Sequence, residues 1–133
     1  MNVLKKILIV EDDQLLNRTL AYNLTSDGYE VISVFNFDSA VRKLRENEFD
    51  VALLDINLPD GSGLDLCEEI RNRGQHTYII FITAVSEKDA VICIHDDYCI
   101  DIEAAEISQI LLKIGELISN SYRSTKAEKL SES

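Results

Sequence analysis

The chain contains no tryptophan, a single proline and two histidines among its 133 residues. His76 and His95 stand far apart from each other, and solvent-facing or packing roles are the plainer reading of each, so imidazole-based metal or acid-base chemistry has little to work with. The three cysteines, Cys67, Cys93 and Cys99, are odd in number and form no C-x-x-C. That excludes a disulfide framework and a zinc site, and suits a reducing compartment such as the cytoplasm. Basic residues are also scarce, with 13 Lys and Arg against 24 Asp and Glu and a net charge of −11. Such a surface repels nucleic acid and anionic lipid, so no direct nucleic-acid binding by this chain is expected. Long apolar runs are missing too. The stretch "ILIV" after the N-terminal lysines is too short for a signal peptide or a membrane span, and no membrane association is expected.

What is present is regular alternation. Leu4 to Val10 is β-branched-rich and reads as a buried strand, followed by a helix with Leu15, Leu16, Leu20 and Leu24 at helical spacing. Asp12 or Asp13 can cap that helix, and Gly28 suits a left-handed end to it. "YEVISVF" reads as a second strand, and Asp38 as the cap of the helix "SAVRKLRENE". "DVALLDI" is a third strand, Pro59, Gly61 and Gly63 mark a loop, and "LDLCEEIRNRG" is a third helix. "YIIFIT" is a fourth strand. "EISQILLKIGELIS" is a clear amphipathic helix, and "NSYRSTKAEKLSES" is a polar linker or frayed end. Strands alternating with helices predict an α/β fold, doubly wound around a parallel sheet with helices on both faces. Sites in such folds lie at the carboxyl ends of the strands.

Three of those ends carry distinctive residues: Glu11-Asp12-Asp13, Asp55 and Thr83-Ala84. Each acid alone has a plainer role as a cap or strand end. Together they form a carboxylate cluster, which repels itself unless a cation lies within it. Oxygen ligands without His or Cys select a hard ion such as Mg²⁺. A carboxylate beside Mg²⁺ is also a nucleophile that can take a phosphoryl group, with the Thr83 hydroxyl and the Ala84 backbone N–H as donors to its oxygens.

The segments "ILIVEDD", "DVALLDINLPDGSGLDLCEEIR", "IIFITA" and "DDY" resemble, in order and spacing, the receiver domain of two-component response regulators. The resemblance spans roughly Lys5 to Ile118. It implies a flavodoxin-like, five-stranded sheet of order 2-1-3-4-5 and a receiver domain over residues 1–120, with 121–133 a tail toward an output domain. It implies Asp55 as phospho-acceptor and Mg²⁺ held by Asp12, Asp55 and the backbone carbonyl of Asn57, with Glu11 assisting. It further implies Thr83 as switch hydroxyl, Tyr98 as switch aromatic, and a sensor histidine kinase and an output domain or downstream protein as partners. Asp13, one position past the acidic pair, is left to capping. A weak homodimer is a further expectation, although the last helix face, with Gln109, Lys113 and Glu116, lacks the family's arginines. The domain is expected to be no enzyme in the ordinary sense.

The chain departs from the family at one place. Where the pattern runs Asp-Asp-Tyr, two residues, Lys-Pro, the sequence has Asp96-Asp97-Tyr98-Cys99-Ile100-Asp101-Ile102. Asp101 stands at the lysine position. A repulsive charge there motivates an alternative, a pseudo-receiver that binds partners without phosphorylation. Lys88 is a candidate replacement cation. The segment before Asp96 is about one helical turn short. "AVICI" is either a shortened fourth helix, the reading adopted here, or the fifth strand itself, in which case "DDYCID" is a loop. "D-I-N" also resembles a phosphatase nucleophile motif, but the later lysine motif of that family is missing.

Overall fold

The computed structural model describes residues 5–74, 76–83, 98–101 and 108–119. Its elements in chain order are β1 (Lys6–Val10), α1 (Gln14–Ser26), β2 (Glu30–Val34), α2 (Phe37–Glu46), β3 (Val51–Asp55), β4 (Asn57–Leu58), β5 (Gly61–Ser62), α3 (Gly63–Asn72), β6 (Tyr78–Thr83) and β7 (Tyr98–Asp101). A last helix, α4, covers 108–119. Five strands form one sheet in the order β2-β1-β3-β6-β7, and every pairing in it is parallel. With the two-rung hairpin β4–β5 set aside, this is the 2-1-3-4-5 order expected.

The sheet divides the interior into two cores by residue parity, as the period of two along a strand requires. Leu8, Val10, Ala52, Leu54, Ile79 and Phe81 face α2 and α3, meeting Ala40, Leu44, Leu66 and Ile70. Ile7, Ile9, Val51, Leu53, Ile80 and Ile82 face the other way, meeting Leu20 and Leu24 of α1 and Ile110, Ile114 and Leu117 of α4. Both faces of β1, β3 and β6 are therefore buried, which explains why these strands read as unbroken apolar runs.

The helix ends follow side-chain chemistry. Asp13 is the N-cap of α1, its carboxylate accepting from Leu16 N at 3.1 Å. Gly28 closes α1 with φ +98°, donating its N–H to Thr25 O, a backbone conformation costly for any side chain. One cap differs from the sequence reading. Asn36, not Asp38, caps α2, its amide oxygen accepting from Ser39 N at 2.8 Å. Asp38 lies inside the first turn and pairs with Arg42 one turn on. The helix begins earlier than the apolar spacing suggested because Asn36 already offers an acceptor with extended backbone angles.

The loop expected around Pro59 is partly ordered into the β4–β5 hairpin, and α3 starts at Gly63 with Ser62 as its cap. The reading of "DDYCID" as a loop is overturned: Tyr98–Asp101 is the edge strand β7, paired with β6 from Ile80↔Tyr98 to Thr83↔Asp101. The shortened fourth helix, Lys88, Ala84 and the tail 121–133 lie outside the described residues. No helix among the described residues is long and apolar enough to cross a membrane.

Candidate functional site: an acid pocket at the carboxyl edge

Parallel pairing brings the ends of β1, β3, β6 and β7 to one edge. Glu11, Asp12 and Asp55 meet there, each with a carboxylate oxygen within 4.8 Å of the others. The environment differs sharply from one acid to the next. Glu11 is only 4% exposed, whereas Asp12 is exposed and Asp55 half-buried. Glu11 follows directly on β1 and is held against the end of β2 by its N–H bond to Val34 O, whereas Asp12 lies in the bend beyond and is exposed.

The three carboxyls titrate as a group. Burial, then the hydrogen bond and charge of Asp55, push Glu11 up to about 9. Burial also raises Asp55, partly offset by its hydrogen bond with Glu11. Asp12 is lowered, chiefly by its hydrogen bond with Asp55. Without a cation the pocket thus retains a proton on Glu11 and a charge on Asp12, the usual result of crowding like charges. This donor set, three carboxylates offering only oxygen, fits a hard divalent cation.

The frame around the pocket is tightly specified. Asn57 N–H donates to Asp55 Oδ1 at 3.0 Å, fixing that carboxylate and placing the Asn57 backbone at the same edge. Gly63 N–H donates to Ile56 O. A Cβ on Gly63 would lie 2.3 Å from Asp55 O and 2.9 Å from Asp55 C. No side chain can relieve that overlap, because the obstacle is the backbone of the site itself. Gly63→Ala is therefore expected to lower stability by about 1–3 kcal/mol, measured by urea unfolding. Gly115→Ala, in α4 with open space around it, is the control and should gain about 0.5–1 kcal/mol.

Asn17 was not anticipated as a site residue. It is fully buried on α1 and donates from Nδ2 to Glu11 O and to Val34 O, both at 2.9 Å. It thereby pins the end of β1 to the end of β2 just below the acids. The sequence did hold a signal: Asn17 shares the inward stripe of Leu20 and Leu24, where a polar residue must have buried partners.

Thr83 is the last residue of β6 and pairs with Asp101, the last of β7. Asp101 thus stands at the pocket's edge of the sheet, two strands from Asp55. Tyr98 begins β7, paired with Ile80.

Comparison with known proteins agrees with this geometry. The family of response regulator receiver domains matches residues 7–102, and the chain belongs to that family, the signalling domains of two-component systems. Among solved structures it is similar to a CheY-like receiver domain protein from Methanospirillum hungatei, at 26% identity and a TM-score of 0.83, covering 92% of this chain and 99% of that one. It is also similar to the receiver domain of HemR from Leptospira biflexa in its non-phosphorylated form (30% identity, TM-score 0.78, 86% and 94% covered). A third is the response regulator TrrA from Thermotoga maritima in complex with Mg(2+)-BeF (27% identity, TM-score 0.74, 86% and 99% covered).

Proposed function

We propose that this receiver domain accepts a phosphoryl group on Asp55 from a histidine kinase in a Mg²⁺-dependent reaction. The observation that carries the reading is the convergence of Glu11, Asp12 and Asp55 within 4.8 Å around a carboxylate already oriented by Asn57 N–H. Mg²⁺ would be held by Asp12, Asp55 and the Asn57 carbonyl, with Glu11 behind them. When bound, it supplies neutralisation of the acids and shielding of the phosphoryl oxygens. Asp55 then attacks phosphorus through one carboxylate oxygen. The P–N bond to the kinase histidine breaks, and the leaving imidazole nitrogen keeps the electron pair and takes a proton from solvent. Glu11 and Asp12 hold the metal side of the pocket, and Asn17 holds Glu11 in register. Thr83 and the Ala84 N–H are the donors to the phosphoryl oxygens, and Tyr98 follows Thr83 in the switch. The protein acts in the cytoplasm, with residues 1–120 as receiver and 121–133 as a polar connection to an output domain or a downstream protein.

The test is incubation with Mg²⁺ and a small phosphodonor, read by intact mass. Wild type should gain a phosphoryl adduct that EDTA prevents and Asp55→Asn abolishes. An adduct that survives in Asp55→Asn removes Asp55 from the role.

A second reading has its own support: β7 ends on an aspartate, Asp101, in register with Thr83, at the position where the family pattern has a lysine. In that reading the domain is a pseudo-receiver that binds a partner without phosphorylation, and the same experiment yields no adduct on wild type.

A further inference from the structure

The tip of the β4–β5 hairpin reaches across to α2. Asp60 accepts from Phe37 N at 2.7 Å through Oδ1 and from Asp38 N at 3.1 Å through Oδ2. These are the first two amides of α2, which lack partners within the helix. Asn36 satisfies the third, at Ser39. The helix terminus is therefore capped from two sides, once by its own chain and once by a residue more than twenty positions away.

The same tip makes a second contact. A Cβ on Gly61 would lie 2.7 Å from the Phe37 ring, so the hairpin backbone rests directly on that side chain. Pro59, Asp60 and Gly61 are otherwise exposed. The hairpin itself has only the rungs Asn57↔Ser62 and Leu58↔Gly61, and a ribbon that short is not stable alone. Leu58 in the core and Ser62 at the head of α3 fix its base. The tip is fixed by α2 through Asp60.

The other end of this hairpin is the pocket. Asn57 opens β4, donates to Asp55 Oδ1, and carries the carbonyl read above as a metal ligand. We propose that Asp60 is a positioning residue for the acid pocket: by strapping the hairpin tip to the α2 N-terminus, it holds Asn57 in register with Asp55. The metal part of this inference rests on the Mg²⁺ reading above; the strap itself does not. Hydrogen bonds from the Phe37 and Asp38 amides also keep the Asp60 carboxyl below its ordinary range, so it remains charged and accepting at neutral pH.

A residue that only capped α2 would affect α2 alone. The test uses Asp60→Ala and Asp60→Asn in the full chain, with amide exchange by NMR in EDTA and titration with Mg²⁺ alone. In Asp60→Ala, exchange should accelerate at Phe37 and Asp38 and also, by about fivefold or more, at Asn57. Its Mg²⁺ affinity should fall by about tenfold, the effect usual for residues that orient a metal ligand. Asp60→Asn, which keeps one acceptor oxygen, should lie between Asp60→Ala and wild type on both scales. Faster exchange confined to Phe37 and Asp38, with Asn57 unchanged, overturns the proposal and leaves a simple helix cap. If wild type shows no Mg²⁺ affinity, the metal reading fails by itself, and the Asn57 amide alone decides whether the strap positions the hairpin.

Discussion

Asp101→Lys is expected to raise the rate or extent of phosphorylation from a small donor by at least tenfold over wild type. The argument is electrostatic. A phosphoryl group carries nearly two negative charges, and Asp101 ends the strand next to Thr83 at the pocket's edge. At a separation of about 8 Å and an effective dielectric of about 40, each unit pair is worth about 1 kcal/mol. Exchanging −1 for +1 changes the interaction by two units with each phosphoryl charge, about 4 kcal/mol before ordering of the lysine stem. Even a third of that gives tenfold. The measurement is adduct accumulation and decay by intact mass with Mg²⁺ present. An Asp101→Asn variant separates loss of repulsion from gain of attraction and should fall between the two. If wild type takes no phosphoryl group and Asp101→Lys does, the pocket is competent and its edge is what disables it, which supports the pseudo-receiver reading. Equal adduct formation in all three chains would show that the charge at the end of β7 does not reach the phosphoryl group.

The second large effect concerns the metal-free pocket. Between pH 5.5 and 7.5 in EDTA, unfolding stability should fall by about 1–3 kcal/mol, with a limit of about 1.4 kcal/mol per pH unit for one proton. Glu11 carries the sign. Its carboxyl, at 4.5 in the unfolded chain, is pushed up to about 9 in the fold. A raised group contributes stability fully present below the unfolded value and lost as pH rises toward the folded one. Asp55 is raised as well and acts in the same direction. Asp12 is lowered from 3.8; its contribution is lost only as pH falls below that value, outside the window. Urea unfolding in EDTA at several pH values, repeated with millimolar Mg²⁺, reads the effect. Glu11→Gln should flatten the slope, since a neutral amide has no proton to lose. Mg²⁺ should stabilise wild type more at pH 7.5 than at 5.5, because it competes with the proton that Glu11 retains. A flat profile in EDTA would mean that the three acids do not crowd one another as described.

The strands were easily read from sequence because three of them are buried on both faces, leaving an apolar signal with no polar interruption. The acids at their ends were legible for the same reason: each follows directly on such a run. The boundaries of α2 were less so. Asn36 and Asp38 are both good caps, and only backbone angles decide between them. The hairpin at 57–62 gave no periodic signal, since two rungs are too few to show one. Asp60 looked like an ordinary turn residue in "LPDGSG", because the amides it accepts from belong to a helix distant in sequence. The strand β7 stands where the adopted reading leaves the fifth strand; the competing reading arose because "AVICI" is an apolar run whose pattern suits strand and helix alike. Pairing of "YCID" with β6 decides between the two.

The end of β1 has one further consequence. Glu11 and Asp12 are chemically near-equivalent neighbours, yet one is buried against the end of β2 and the other is exposed in the bend beyond. Their division of labour is thus set by position along the chain, not by side-chain type. Gaining or losing a single residue within β1 would displace both acids and exchange the two cores behind them. The segment from β1 into the α1 cap is therefore far more tolerant of substitution than of any change in length.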